Sequence, residues 1–251
     1  MVEFCEGTLD SMMERLCNSI SSIDKGWIKR CVPATEEQIQ QLQDIFAAYH
    51  YTIPSAYLQY LRVMGQNDRG LLQYGGDYDP DIDTVLDYLT DDNDVQKDFE
   101  KGFFMFSRHW ADPAFYLNLS SIKDNPIVTD DDKNYIAGSF EKFLFQRVFE
   151  MYQKTFKHYA TDNGDVCHEK KETEECRECL LGMTAEERMN FMIQFAESYG
   201  VKKTWFSDQV HFYCYDMNYA LEINIHNGYR VRLYYNDDKV FELAHREFEK
   251  I

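Results

Sequence analysis

An α+β fold, a mainly antiparallel sheet covered by helices with a smaller C-terminal α+β module, follows from three features of the 251-residue sequence. Apolar residues recur at helical spacing through residues 9–61. Short β-type runs separated by turn chemistry fill 103–137 and end on a helix cap, and a second set of three strands follows position 209.

In chain order, Leu9, Met12, Met13, Leu16 and Ile20 share one helical face. In "PATEEQIQQLQDIFAAY" Thr35 precedes Gln38 by three, the capping-box spacing, and Ile39, Leu42, Phe46 and Tyr49 follow along one face. Pro54 opens a further helix with the stripe Tyr57, Leu58 and Leu61, and Gly65 is its expected stop. Residues 66–102 read mostly as loop, glycine-punctuated and then very acidic. "GFFMFSRHW", "AFYLNL" and "PIVTDDDKNYIAG" read as strands, with turns at Asp112-Pro113 and Asp130-Asp131-Asp132. Ser139 then caps a helix carrying Phe140, Phe143, Leu144 and Val148 on one face, with Glu141 in its first turn. The strand stops at Gly138 with no loop before the cap, so the helix folds straight back over the sheet.

A polar stretch over 161–182 reads as a linker between a domain over 1–160 and a module over 183–251. In that module Thr184 and Glu187 cap a helix ended by Gly200, and "VHFYCYDM", "YALEINI" and "YRVRLYY" are strands before a short terminal helix. A three-residue loop His226-Asn227-Gly228 pairs Ile223 with Val231 and Leu221 with Leu233. It also sets Glu222 opposite Arg232 on the exposed face.

Charge narrows the function. Lys and Arg total 26 against 44 Asp and Glu, a net of −18. Such a chain repels nucleic-acid backbones and anionic membranes and attracts basic proteins. No apolar run is long enough to span a bilayer, and the N-terminus lacks the basic start of a signal peptide. Seven scattered cysteines point to reduced thiols in a cytoplasm.

Two segments carry a family resemblance. "PATEEQIQQLQDIFAAYHYTIPSAYLQYLRVMG" resembles the opening helices of the SUKH superfamily, and "FFMFSRHWADPAFYLNL…PIVTDDDKNYIAGSFEKFL" resembles its central strands and closing Ser-Phe-x-x-Phe-Leu helix. The similarity covers roughly residues 33–150 and is one of hydrophobics and turns. Ile53, where the family has leucine before Pro54, and "GQNDRG", where it has a glycine-rich turn, depart from the pattern. The superfamily includes fungal cell-wall-assembly regulators and bacterial immunity proteins that neutralise polymorphic toxins. The resemblance therefore implies protein binding without catalysis: an immunity protein holding a basic toxin domain, or else a regulatory scaffold recruiting cellular partners.

The acidic block over 77–100 holds ten acids and one lysine, a net of −9. It reads as a solvated loop or as a docking surface for a basic partner through Asp77, Asp79, Asp81, Asp83, Asp91, Asp92 and Asp94. A calcium loop counted from Asp77 fails at Ile82, where glycine is needed, and at Tyr88, where a bidentate glutamate is needed. Cys167, His168 and the Cys176-x-x-Cys179 pair read as uninvolved thiols, with zinc or redox roles as alternatives. His211 and Cys214, three apart on a strand, face opposite sides, and His109-Trp110 reads as a surface turn. No catalytic motif, metal site or cofactor is expected.

Overall fold

The computed structural model describes residues 2–72, 79–108, 114–161, 203–224 and 230–236, with the single positions 194 and 239. The chain is α+β and forms two units, Val2–Glu150 and Met151–Ile251.

The first unit begins with a 3-10 turn, Leu9–Ser11, that leads into α1, Met12–Ile23, which buries Met12, Met13, Leu16 and Ile20. Arg15 on α1 donates to the carbonyls of Cys5 and Thr8, to Ser11 and to Glu141, fastening the N-terminal segment. A short α2, Trp27–Arg30, precedes α3, Glu36–Ala48, which starts on the capping box Thr35–Gln38 and buries Ile39, Leu42 and Phe46. Both spare amide donors at that helix start are satisfied by side chains.

In α4, Ser55–Met64, Pro54 is the N-cap and not the first helical residue, and the buried stripe is Ala56, Tyr57, Tyr60, Leu61 and Met64 while Leu58 is only half-buried. Gly65 ends α4 without left-handed backbone (φ −69°). A Cβ there would come 2.7 Å from the Leu61 carbonyl oxygen, so close approach requires the glycine.

The expected loop over 66–102 is corrected: it contains two helices, α5, Ile82–Asp91, and α6, Asn93–Glu100. Ile82, Val85, Leu86 and Leu89 lie at i, i+3, i+4 and i+7 on the buried face of α5, and Val95 and Phe99 do the same for α6. The intervening acids occupy caps and outer faces, where ionised aspartate is tolerated or favoured.

The sheet of this unit has strands in sequence order, all antiparallel: β1, Phe103–Ser107; β2, Phe115–Asn118; β3, Ile127–Thr129; β4, Tyr135–Ala137. In the turn between β3 and β4, Asp130 accepts from the Asn134 amide (2.8 Å) and Lys133 takes a left-handed φ of 64°. Ser139 then caps α7, Phe140–Gln153, accepting from the Lys142 amide (3.1 Å). Phe140, Phe143, Leu144 and Val148 are buried. Phe106 meets Phe140 edge-on at 5.2 Å, Tyr57 meets Phe140 at 5.5 Å, and Phe46 meets Phe104 at 4.8 Å. Each of these buried rings contributes about 2–3 kcal/mol of apolar transfer, with an edge-to-face term beyond it.

The second unit holds a sheet in the order β5-β8-β7-β6: β5, His158–Thr161; β6, His211–Tyr215; β7, Tyr219–Asn224; β8, Arg230–Tyr235. The expected boundary at 160 therefore moves. The first unit ends at Glu150, and β5 pairs with β8 through Ala160↔Leu233. The register Leu221↔Leu233, Glu222↔Arg232 and Ile223↔Val231 is as expected. Glu222, however, is buried and not on an exposed face, accepting from Gln153 Nε2 (3.0 Å) and Arg232 (3.4 Å). The free edge of β6 is covered by the preceding segment: Thr204 N donates to the Tyr213 carbonyl (3.0 Å), Asp208 N to that of His211 (2.8 Å), and Ser207 Oγ accepts from Tyr213 N (2.9 Å). The linker over 162–182, the helix starting at Thr184, the loop His226-Asn227-Gly228 and the terminal helix lie outside the described residues, apart from positions 194 and 239.

Candidate functional site

The acidic block lies on α5 and α6, and its aspartates divide into two groups by what they touch. Asp79 is half-buried and accepts from the Asp81 amide (3.0 Å) and from Thr84 Oγ1 (2.7 Å). Asp81 is the N-cap of α5, accepting from the Asp83 amide (2.9 Å) and from Gln66 Nε2 (2.8 Å). Partial burial, with Asp79 and Asp83 beside it, raises the Asp81 carboxyl above its ordinary range. Asp92 is the N-cap of α6, accepting from the amides of Asp94 (2.9 Å) and Val95 (3.3 Å) and from Arg108 (3.1 Å). Its slight burial favours the neutral form, but these donors more than offset that and lower its pKa.

The others face water. Asp83 is exposed yet held by Gln66 Nε2 (3.0 Å) and Gln38. Asp87 and Asp91 share the exposed side of α5 with it at i, i+4 and i+8, and Asp94 on α6 pairs only loosely with Lys97 (2.8 Å) at the surface. Asp77 lies outside the described residues. The expectation of one uniform acidic loop is thus corrected: Asp79, Asp81 and Asp92 serve the backbone, and Asp83, Asp91 and Asp94 are presented to solvent from rigid helices.

Four residues whose part in this surface is not evident from the sequence hold it in place. Gln38 donates to Gln66 (2.6 Å), and Gln66 in turn reaches both Asp81 and Asp83. Arg108 lies 4.4 Å over the Tyr88 ring while binding Asp92. Lys133 lies 3.5 Å over the Tyr116 ring and 5.2 Å from that of Phe103, and binds Asp98 at 2.7 Å. The only local signal for the last two is a lone cation beside strand aromatics, in "FSRHW" and "DDDKNY".

Beside α5 an open groove of about 870 Å³ is lined by Glu36, Glu37, Gln40, Asp44, Ile45 and Ala48 of α3 and by Thr90 of α5. Its lining carries three acids and no lysine or arginine, with Ile45 and Ala48 as its apolar part.

Thiols and histidines elsewhere are arranged differently. Burial raises the thiol pKa of Cys17 and Cys214, and burial with the nearby Asp68 pushes Cys31 up to about 11, which disfavours thiolate in all three. His211 Nδ1, at the start of β6, lies 3.5 Å from Asp208 of the segment that covers the β6 edge, and both side chains are buried. Cys167, His168, Cys176, Cys179, His109 and Trp110 lie outside the described residues. Among the described residues no group of three or more His, Cys, Asp or Glu is placed to hold a metal ion, and no helix is long and apolar enough to cross a membrane.

Comparison with protein-family models, with curated proteins and with solved structures finds no match to this chain.

Proposed function

We propose that this chain is a non-catalytic protein-binding protein of SUKH type, a cytoplasmic immunity protein that neutralises a toxin by binding its basic catalytic domain. The observation that carries the reading is the set of exposed acids at Asp83, Asp87, Asp91 and Asp94, displayed on helices that are capped and tied to the sheet. A rigid acidic face loses little conformational entropy on docking, and its field steers a cationic partner into place. An acidic inhibitor can occupy the groove of a nuclease that normally holds nucleic acid, and its own charge keeps it off that nucleic acid.

The test is co-expression with toxic, basic domains encoded beside the gene, followed by association kinetics on any domain that is neutralised. Rescue of growth with a stoichiometric complex is expected. The association rate should fall steeply with salt while dissociation changes less. Asp87→Asn/Asp91→Asn/Asp94→Asn, which leaves the caps untouched, should slow association about tenfold or more at low salt. Wild-type association by this triple variant would place the interface elsewhere.

A further inference from the structure

A second surface has the opposite character. A pocket of about 280 Å³ is walled by His50, Tyr51 and Thr52, which follow α3, and by Leu119 and Lys123, which follow β2. No carboxylate lines it, in a chain where acids outnumber lysine and arginine by 44 to 26. Neither the His50 imidazole nor the Lys123 ammonium has an ion-pair or hydrogen-bond partner among the described residues.

The backbone here is unusual. His50 has a left-handed φ of 62°. It occupies the position after the α3 C-cap Tyr49, where its amide donates to the Ala47 carbonyl (3.0 Å) and the Tyr51 amide to that of Phe46 (2.9 Å). This is the Schellman arrangement, in which glycine is the favoured residue because a Cβ is strained at positive φ. A histidine here keeps an imidazole at the pocket wall at a conformational cost. The same bonds engage the last helix carbonyls, so the negative end of α3 is partly quenched where an anion would approach. The next residue of the same wall is held as well. The Tyr51 ring stacks on Phe99 (5.7 Å), and its hydroxyl lies where a Cβ on Gly102, itself at φ 89°, would come within 3.1 Å.

We propose that this pocket binds a small oxyanion, a phosphate group or a carboxylate, held by the His50 imidazole, the Lys123 ammonium and the Thr52 hydroxyl. All three groups can donate hydrogen bonds, and charge-assisted bonds to an oxyanion, such as that from the ammonium, are the strong ones. The inference is independent of the acidic face and stands or falls without it.

The test is an amide-resolved NMR titration at pH 6 and constant ionic strength, with inorganic phosphate in one arm and acetate in the other, chloride serving as the balancing anion. Saturable shifts confined to residues 50–52 and 119–123 are expected in at least one arm, and the arm that saturates identifies the chemistry. His50→Gly removes the imidazole while relieving the backbone, so its fold is retained, and Lys123→Ala removes the ammonium. Each should weaken binding about fivefold or more, in line with loss of one charge-assisted bond. Failure to saturate in both arms, or unchanged affinity in both variants, would overturn the proposal.

Discussion

Asp92 separates the structural from the displayed part of the acidic surface. Its carboxylate accepts from two amides at the start of α6 and from Arg108. Replacement by alanine removes the cap, about 1 kcal/mol, and a half-exposed ion pair, up to about 1 kcal/mol, a total near 2 kcal/mol. Asparagine still accepts from both amides and is as good a cap, so Asp92→Asn should lose only the charge on Arg108, under about 1 kcal/mol. Asp91→Ala, on the exposed carboxylate that precedes it at the end of α5, should change stability by less than about 0.5 kcal/mol. Urea unfolding of the three variants at pH 7 gives the order directly, and raised salt should shrink the Asp92→Asn effect while leaving most of the difference between alanine and asparagine. If Asp92→Ala and Asp91→Ala were equally stable, the division of the acids into caps and displayed charges would be wrong.

Further outcomes follow from the same geometry. His50→Gly, relieved of its left-handed strain, should stabilise the first unit by about 0.5–1 kcal/mol in urea unfolding. Arg15→Ala leaves Glu141 largely buried with the Asn125 amide still donating to it and frees two carbonyls, and should cost about 3 kcal/mol with faster exchange of α1 amides. Asp208 is buried, which alone would raise its pKa, but His211 and the amides of Val210 and His211 bring it down to about 2 from 3.8. A depressed folded-state pKa stabilises above the unfolded value, so about 2 kcal/mol should be present above pH 4 and lost as pH falls toward 2. Amide exchange in β6 between pH 5 and 2 should report this loss, and Asp208→Asn should flatten it.

Local signals were legible and distant ones were not. Thr35 and Ser139 cap the helices their spacing predicts, and β1–β4 and β6–β8 fall on the runs that alternate between turn residues. The pairs α5 and α6 stayed hidden because ten acids in 77–100 obscure the buried Ile82, Val85, Leu86, Leu89, Val95 and Phe99, and aspartate is a poor helix former except at a cap. β5 has no apolar run to announce it and owes its existence to a strand far along the chain. Glu222 was placed correctly opposite Arg232, but its burial depends on what packs against it, Gln153 included, and strand alternation cannot reveal that. At the candidate surface the acids could be read one by one, whereas the roles of Gln38, Gln66, Arg108 and Lys133 arise from contacts between segments remote in sequence.

The strand order of the second sheet sets a schedule for biosynthesis. In the first sheet each strand pairs with the one made just before it, and α7 closes the set by residue 153. In the second, β5 pairs with β8 alone among the described strands, and Leu233 of β8 leaves the ribosome about seventy residues after its partner Ala160. At ~5–20 residues per second, that is a wait of roughly 4–15 s. For that interval the nascent chain carries its acidic helices on a unit whose sheet is already complete, while β5 waits for β8. Truncation before β8 would deprive β5 of that partner while leaving every strand of the first sheet in place.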